Sequence, residues 1–474
     1  MRATTATIHA VNSLTSRWAA ASPELGAGAP HTTPAPPAQG TETARTAAAS
    51  AEPGAAAPHT TPASPGPRTK SPRTALPSPA RPTGTVLSGA CVWPLLALLG
   101  GAATGRARTE LADATGIPPA EAATRARELL GLLGTAPGLR AAVGLWTVRT
   151  LGLRDSWLRG LPDHTHGVLT GDRDRDAAAL DAWAARRTDG EITALPVQPK
   201  PDTELVLAAA LTLRTEWLRP FEEGALCPES GPWRELTVRG LTRTTALLDR
   251  LAVADTPVGA LTRLRVLGTN GIDVQLLLGE PDADPAGVLS AGVDLLARRD
   301  ALITGDRLPF GRPGPGITVE RVRTERPTPP ELHVSTAAFT VDATHDLAGL
   351  PEVFGLGAAL DERRGHFPGM SGRPLSISAA AQTATATFGP LGFRAAAVTA
   401  FSGVAGGVPR TRYLSTEVQV DLDRPFGFLA VHRATRLVLA AGWVGDPEPF
   451  HEDEEEYGTG RGDGRTVTGR STGR

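Results

Sequence analysis

The chain has 474 residues and a formal net charge of −2 from 48 basic and 50 acidic side chains, so no global field draws it to nucleic acid or to an anionic membrane surface. Two cysteines, Cys91 and Cys227, exclude a disulfide scaffold, a Cys-rich zinc site and a CxxC redox pair. Nearly all the basic residues are arginine, the lysines being Lys70 and Lys200, and with the Ala, Gly and Pro excess this reads as the coding bias of a GC-rich genome.

The opening residues, Arg2 then polar Thr4, Thr5 and Thr7, lack the apolar core of a secretory signal, so a cytoplasmic protein is expected. Residues 7–20 carry Ile8, Val11, Leu14 and Trp18 at helical spacing, which predicts an amphipathic helix with one buried stripe. Between Pro23 and Gly84 the large aliphatics are Leu25 and Leu76, set among Pro, Ala, Thr, Ser and Gly. That composition cannot bury enough apolar surface to offset ordering entropy, and 23–84 is expected to be a disordered insert. Its twofold Ala-Pro-His-Thr-Thr-Pro-Ala, at 29–35 and 57–63, reads as a duplicated low-complexity tract.

Beyond Thr85 the texture changes. The apolar run Cys91 to Ala103 is shorter than the roughly 20 residues of a bilayer-spanning helix and holds Pro94 and Gly100, so a soluble chain is expected. Glu121 to Leu133 has helical periodicity, and Leu205 to Leu213 is apolar on both alternating faces, as in the middle of a covered sheet. Thr416 to Val420 alternates, and Pro425 to Val431 and Arg436 to Trp443 flank the link His432 to Thr435, which predicts a strand followed by a hairpin. Mixed periodicities of this kind imply one large α+β domain beyond Thr85. The acidic then Gly/Arg tail 450–474 has no periodicity to fold on.

Enzyme signatures are lacking. No GxSxG, GxxxxGK[ST] or HExxH spacing occurs, and His164 and His166 beside Asp163 are two residues apart with no further ligand nearby, so no metal and no cofactor is expected. Arg461-Gly-Asp463 is a chance tripeptide in a tail rich in all three types.

Several blocks, in unbroken order, resemble the serpin family of protease inhibitors. They are Thr85 to Gly105 with Arg108-Thr-Glu-Leu-Ala112, and Leu180-Asp-Ala-Trp-Ala-Ala-Arg-Arg-Thr-Asp-Gly-Glu-Ile192. Leu205 to Trp217 with Pro220-Phe221 follows, then Phe354-Gly-Leu-Gly357 and Phe367 to Ser371. The last are Asp421-Leu-Asp-Arg-Pro-Phe-Gly-Phe-Leu-Ala430 and Leu439-Ala-Ala-Gly-Trp-Val-Gly-Asp-Pro447. By this resemblance the chain is a divergent, bacterial-type serpin with a domain over 85–449 that also takes in the helix within 1–22, a central sheet ringed by helices and a reactive-centre loop spanning about 389–417. It is expected to be a monomer, no enzyme, whose partner is a serine protease. The protease cleaves the loop, the loop enters the central sheet as a new strand, and the acylated enzyme is trapped. Family members also act outside cells, which leaves an extracellular setting open.

The resemblance places the loop hinge at Gly392, Phe393, Arg394, Ala395, Ala396, Ala397, Val398 and Thr399, with the alanines small enough to slide between strands. Candidate scissile positions are Gly406 and Gly407 by counting, or Arg410, Thr411, Arg412 and Tyr413 for a trypsin-like pocket. The family's sheet-opening residues correspond here to Ser88, Ala209, Ser378 and Gln382, near Trp217 and Pro390. Phe393 stands where the family prefers Thr or Ser, Pro390 replaces the hinge Glu and Ala209 cannot hydrogen-bond. Insertion is therefore expected to be slowed by the Phe393 ring, and a non-inhibitory binding protein of the same fold is the alternative.

Overall fold

The computed structural model describes residues 3–25, 84–229, 231–298, 301–393 and 413–451. Most of the tract 23–84, the hinge from Arg394 onward, the scissile candidates before Tyr413 and the tail from Glu452 lie outside these residues.

The first helix, α1 (Thr5–Ala21), starts where the Thr4 hydroxyl accepts from the Thr7 amide at 3.3 Å, and it buries Ile8, Val11, Leu14 and Trp18 along one face. The folded part runs past this helix to Leu25, which is 1 % exposed, so the expected boundary at Ser22 falls three residues short. Glu24 explains the extension: it accepts from the Thr85 hydroxyl at 2.6 Å and lies 3.5 Å from His345.

After β1 (Thr85–Leu87) comes α2 (Gly89–Ala102), apolar on all sides and buried nearly throughout, then α3 (Gly105–Thr115) and α4 (Pro119–Thr135). The left-handed Gly116 ends α3, and Pro119 supplies the first-turn residue of α4. Then follow β2 (Leu139–Val148), α5 (Asp155–Leu158), β3 (His166–Leu169), α6 (Arg173–Arg187), β4 (Leu205–Leu213), β5 (Thr215–Glu216), β6 (Glu222–Leu226) and β7 (Val238–Thr245). The next group is β8 (Leu251–Thr256), β9 (Gly259–Leu267), β10 (Ile272–Leu278), α7 (Pro285–Leu295), β11 (Ile303–Thr304), β12 (Ile317–Thr324), β13 (Glu331–Ala337) and β14 (Phe339–Asp346). The chain closes with α8 (Pro351–Phe354), β15 (Ala379–Phe388), β16 (Gly392–Phe393), β17 (Tyr413–Asp421), β18 (Phe426–His432) and β19 (Leu437–Val444). The hairpin expected near the C-terminus is the β18–β19 pair.

These strands form three sheets. The central one runs β3-β2-β4-β15-β16-β5, with β14 on the far side of β15; a second runs β1-β19-β18-β10-β9-β8-β11; a third, five-stranded, runs β12-β17-β13-β7-β6. Every residue of β4 and of β10 is buried, as inner strands covered on both faces require. Phe339 on β14 stacks on Phe388 of β15 at 5.3 Å and meets Phe426 and Phe428 of β18 at 5.8 and 5.1 Å, which ties the central sheet to the second. Among the described residues no helix is long and apolar enough to cross a membrane.

Candidate functional site

The middle of the central sheet is a parallel seam. Val206 to Leu211 of β4 pair with Ala379 to Ala384 of β15, and the facing residues include Ala208 with Ala381 and Ala209 with Gln382. Alanine is a poor strand former, small side chains leave little to interlock, and parallel ladders are slightly weaker per residue than antiparallel ones, so this seam is weaker than its antiparallel neighbours.

Gln382 ties β15 to Ser88, the residue that precedes α2. The Ser88 amide donates to Gln382 Oε1 at 2.9 Å, Gln382 Nε2 donates to the Ser88 carbonyl at 2.9 Å, and the Ser88 hydroxyl donates to the Leu439 carbonyl at 2.6 Å. Both side chains are fully buried, so each bond lost would leave an unpaired polar group in the interior. Ala209, beside Gln382 in the ladder, adds no polar group. His345, opposite Gln382 on β14, hydrogen-bonds the Val86 carbonyl at 2.9 Å. At the lower end the Ser378 amide donates to the Leu205 carbonyl at 2.9 Å, and its hydroxyl accepts from the Glu204 amide at 2.9 Å.

Past Ala384 the two strands separate. Phe388 of β15 instead pairs with Phe393 of β16, and β16 pairs in turn with β5, which continues the line of β4. Gly392 and Phe393 therefore already occupy the upper gap as a two-residue strand. A Cβ on Gly392 would run into the Thr215 carbonyl oxygen, so glycine is what the close approach to β5 allows. Phe393 is 1 % exposed, its ring 6.1 Å from that of Phe428. In the intact chain this ring is already seated in the sheet, buried against Phe428.

The segment that follows β5 grips the same turn by its backbone. The Trp217 amide donates to the Leu391 carbonyl at 2.9 Å, its indole Nε1 donates to the Gly389 carbonyl at 2.9 Å, and the Phe221 amide donates to the Pro390 carbonyl at 2.8 Å. Pro390 is buried and uses its one backbone polar group in that bond, so the missing N–H leaves no donor orphaned. Trp217 lies 4.9 Å from Phe388.

The next described element is β17. Tyr413 is the first residue of that strand, opposite Thr324, which puts the last of the scissile candidates inside a ladder. Here β17 is an inner strand: β13 runs parallel to it on one side, and β12 pairs with it over eight residues, Ile317 with Val420 through Thr324 with Tyr413, on the other. Nothing in the sequence reading anticipated β12, whose polar alternation gives a weak strand signal.

Away from this region, His166 Nε2 lies 2.8 Å from the Thr147 hydroxyl and His164 sits in a left-handed turn. Among the described residues no cluster of three His, Cys, Asp or Glu is placed to hold a metal ion.

Comparison with known proteins places this geometry. The family model "Serpin (serine protease inhibitor)" matches residues 75–229 and 317–447, more than half of the chain. The chain belongs to the serpin family. Human plasminogen activator inhibitor 2 is 25 % identical over 277 residues, covering 56 % of this chain, and the chain spans 60 % of that relative's length. Among solved structures, human thyroxine-binding globulin complexed with thyroxine superposes with a TM-score of 0.59 at 18 % identity, over 77 % of this chain and 92 % of that one. Tengpin, a thermophilic serpin in its native state, gives 0.60 at 15 % identity over 77 % and 88 %. The α+β architecture is thus the serpin fold, while residues 230–316, which include β7 to β11, lie outside the family match.

Proposed function

We propose that this serpin inhibits a serine protease as a suicide substrate, acting as a monomer without cofactor or catalysis of its own. The observation that carries the reading is the split between β4 and β15, with Gly392 and Phe393 already seated at its top. A strand added after cleavage, continuing from β16, would lengthen an existing ladder rather than start a new one. The hinge is then Gly392 to Thr399 and the sheet opening is fastened by Ser88, Gln382 and Ser378 beside Ala209, under Trp217 and Pro390. The bait bond lies upstream of the β17 ladder, at Gly406-Gly407 or Arg410-Thr411, in preference to Arg412-Tyr413.

Incubation with trypsin-like and elastase-like proteases, read on denaturing gels with mass spectrometry of the loop, tests this. A covalent complex that survives SDS is expected; a cleaved loop with the protease fully active overturns it. One observation favours a second reading, a non-inhibitory binding protein: the ring of Phe393 is buried beside Phe428 where a mobile hinge needs a small side chain. Thyroxine-binding globulin shows that the fold also carries small molecules. A cleaved form with an unchanged melting temperature would support that second reading.

A further inference from the structure

Against β7, β13 and β17 lies a pocket of about 420 Å³, within the usual range for small-ligand sites, lined by Arg219, Glu222, Arg243, His333 and Asp421 among others. Two arginines four residues apart on β7 show what is unusual about it. Arg239 is held by Glu223 at 2.6 Å and by Glu448 at 2.9 Å. Arg243 has neither kind of partner: its Nη1 donates to the Arg219 carbonyl at 2.7 Å, its guanidinium lies 4.3 Å over the Phe221 ring, and its Nε is buried without a hydrogen-bond partner. Arg219 donates from Nη1 to the Thr245 hydroxyl at 3.0 Å. Among the described residues neither guanidinium has a carboxylate within ion-pair distance.

Arg219 is exposed and Arg243 is partly buried; a partly buried cation is ordinarily compensated within the fold, because an unpaired one has lost water and gained nothing in return. Here burial first, then Arg219 and Arg250, push the Arg243 guanidinium down to about 10. The acidic groups of the lining do not neutralise the pair. Glu222 is exposed, and Asp421 accepts from Gln419 Nε2 at 2.9 Å, its own carboxyl raised by burial. His333 is occupied by the Thr244 hydroxyl at 3.0 Å and by Glu417 at 3.6 Å.

We propose that this pocket binds a small oxyanion, a phosphate- or carboxylate-bearing molecule, between the guanidinium groups of Arg219 and Arg243. The planar fork of arginine suits both chemistries, and an anion there recovers the charge-assisted bonds the fold leaves unmade. The site shares its wall with the loop anchor: Arg219 follows the segment that pairs with Gly392 and Phe393, and Phe221 both supports Arg243 and bonds Pro390. An occupant that ties Arg219 to Arg243 therefore also stiffens the grip on residues 390–393.

The test is titration calorimetry of the full chain with inorganic phosphate and, separately, citrate, at ionic strength held constant with sodium chloride. One-site saturable binding of at least one of them is expected, weakened about tenfold or more by Arg243→Gln and by Arg219→Gln, and unchanged by Arg323→Gln on exposed β12. Phosphate binding alone assigns phosphoryl ligands and citrate binding alone assigns carboxylates. No saturable binding of either, or binding unaltered in both pocket variants, overturns the proposal. Arg219→Gln keeps the test open if Arg243→Gln fails to fold, since Arg219 gives only one hydroxyl bond from its guanidinium. Hydrogen exchange at residues 390–393, slowed by the ligand, reads the coupling. None of these outcomes depends on whether a protease is trapped.

Discussion

At Phe393 a single buried side chain holds the two-residue strand β16 in the central sheet. Its ring is buried beside Phe428, so Phe393→Ala should lower stability by about 3 kcal/mol, the lower end of the range for a buried phenylalanine, because the site lies at a two-residue strand that can relax. Chemical denaturation measures the loss, and limited proteolysis at residues 389–399 should quicken with it. Gly392→Ala should displace β16 from β5 by steric conflict at the Thr215 carbonyl, seen as faster exchange of the Phe393 amide. Two histidines set a pH dependence. Burial holds His166 and His432 below the ordinary histidine range, so the unfolded chain binds more protons than the folded one as pH falls through about 6.5. Stability should therefore decline from pH 7 toward pH 5, before most carboxylates titrate, and the double variant His166→Gln, His432→Gln should flatten that part of a melting-temperature profile.

Strand β12 matters at the next scale, because it converts β17 from a sheet edge into an inner strand. Val319 spends its N–H and C=O on Gly311, at 2.8 and 3.0 Å, so its neighbours Thr318 and Glu320 turn theirs toward β17. Glu320→Pro should break that ladder and lower the melting temperature, with exchange rising along Tyr413 to Asp421. Glu320→Gln should do the opposite in a small measure, a few tenths of a kcal/mol, since Glu320 stands directly opposite Glu417 and like charges across a ladder repel. The seam between β4 and β15 is the other element with a single weak point. Gln382→Leu would remove both bonds to the Ser88 backbone; the Ser88 carbonyl keeps the Cys91 and Val92 amides, but the buried Ser88 N–H is left unpaired, a loss of about 1–3 kcal/mol by equilibrium unfolding.

Over the whole molecule the central sheet joins β4 to β15 directly over Val206–Leu211 and Ala379–Ala384, with β16 and β5 beyond. If the loop enters between β4 and β15 after cleavage, each added residue completes ladder bonds on both sides, and the melting temperature of the cleaved protein should rise well above that of the intact one. Differential scanning calorimetry before and after loop cleavage measures this, and equal melting temperatures would leave the seam without a function in inhibition.

The family, the α+β class, the buried strand at Leu205 to Leu213, the first helix and the closing hairpin were legible in the sequence, because hydrophobic period and a few rigid motifs encode local structure directly. The hydrogen bonds between Ser88 and Gln382 were not, since 294 residues separate them and no local pattern links them; the family resemblance only grouped both residues with Ala209 and Ser378. Tertiary structure alone decided the rest. Leu25 joins the core because Glu24 reaches Thr85 and His345; Phe393 is an anchor because β5 and β15 diverge at its position; β12 clasps β17 because an exposed polar edge found its partner a hundred residues away. Arg219 and Arg243 become a pair only once the segment between β5 and β6 folds against β7. Each of these depends on long-range contacts, whose partners no window of sequence contains.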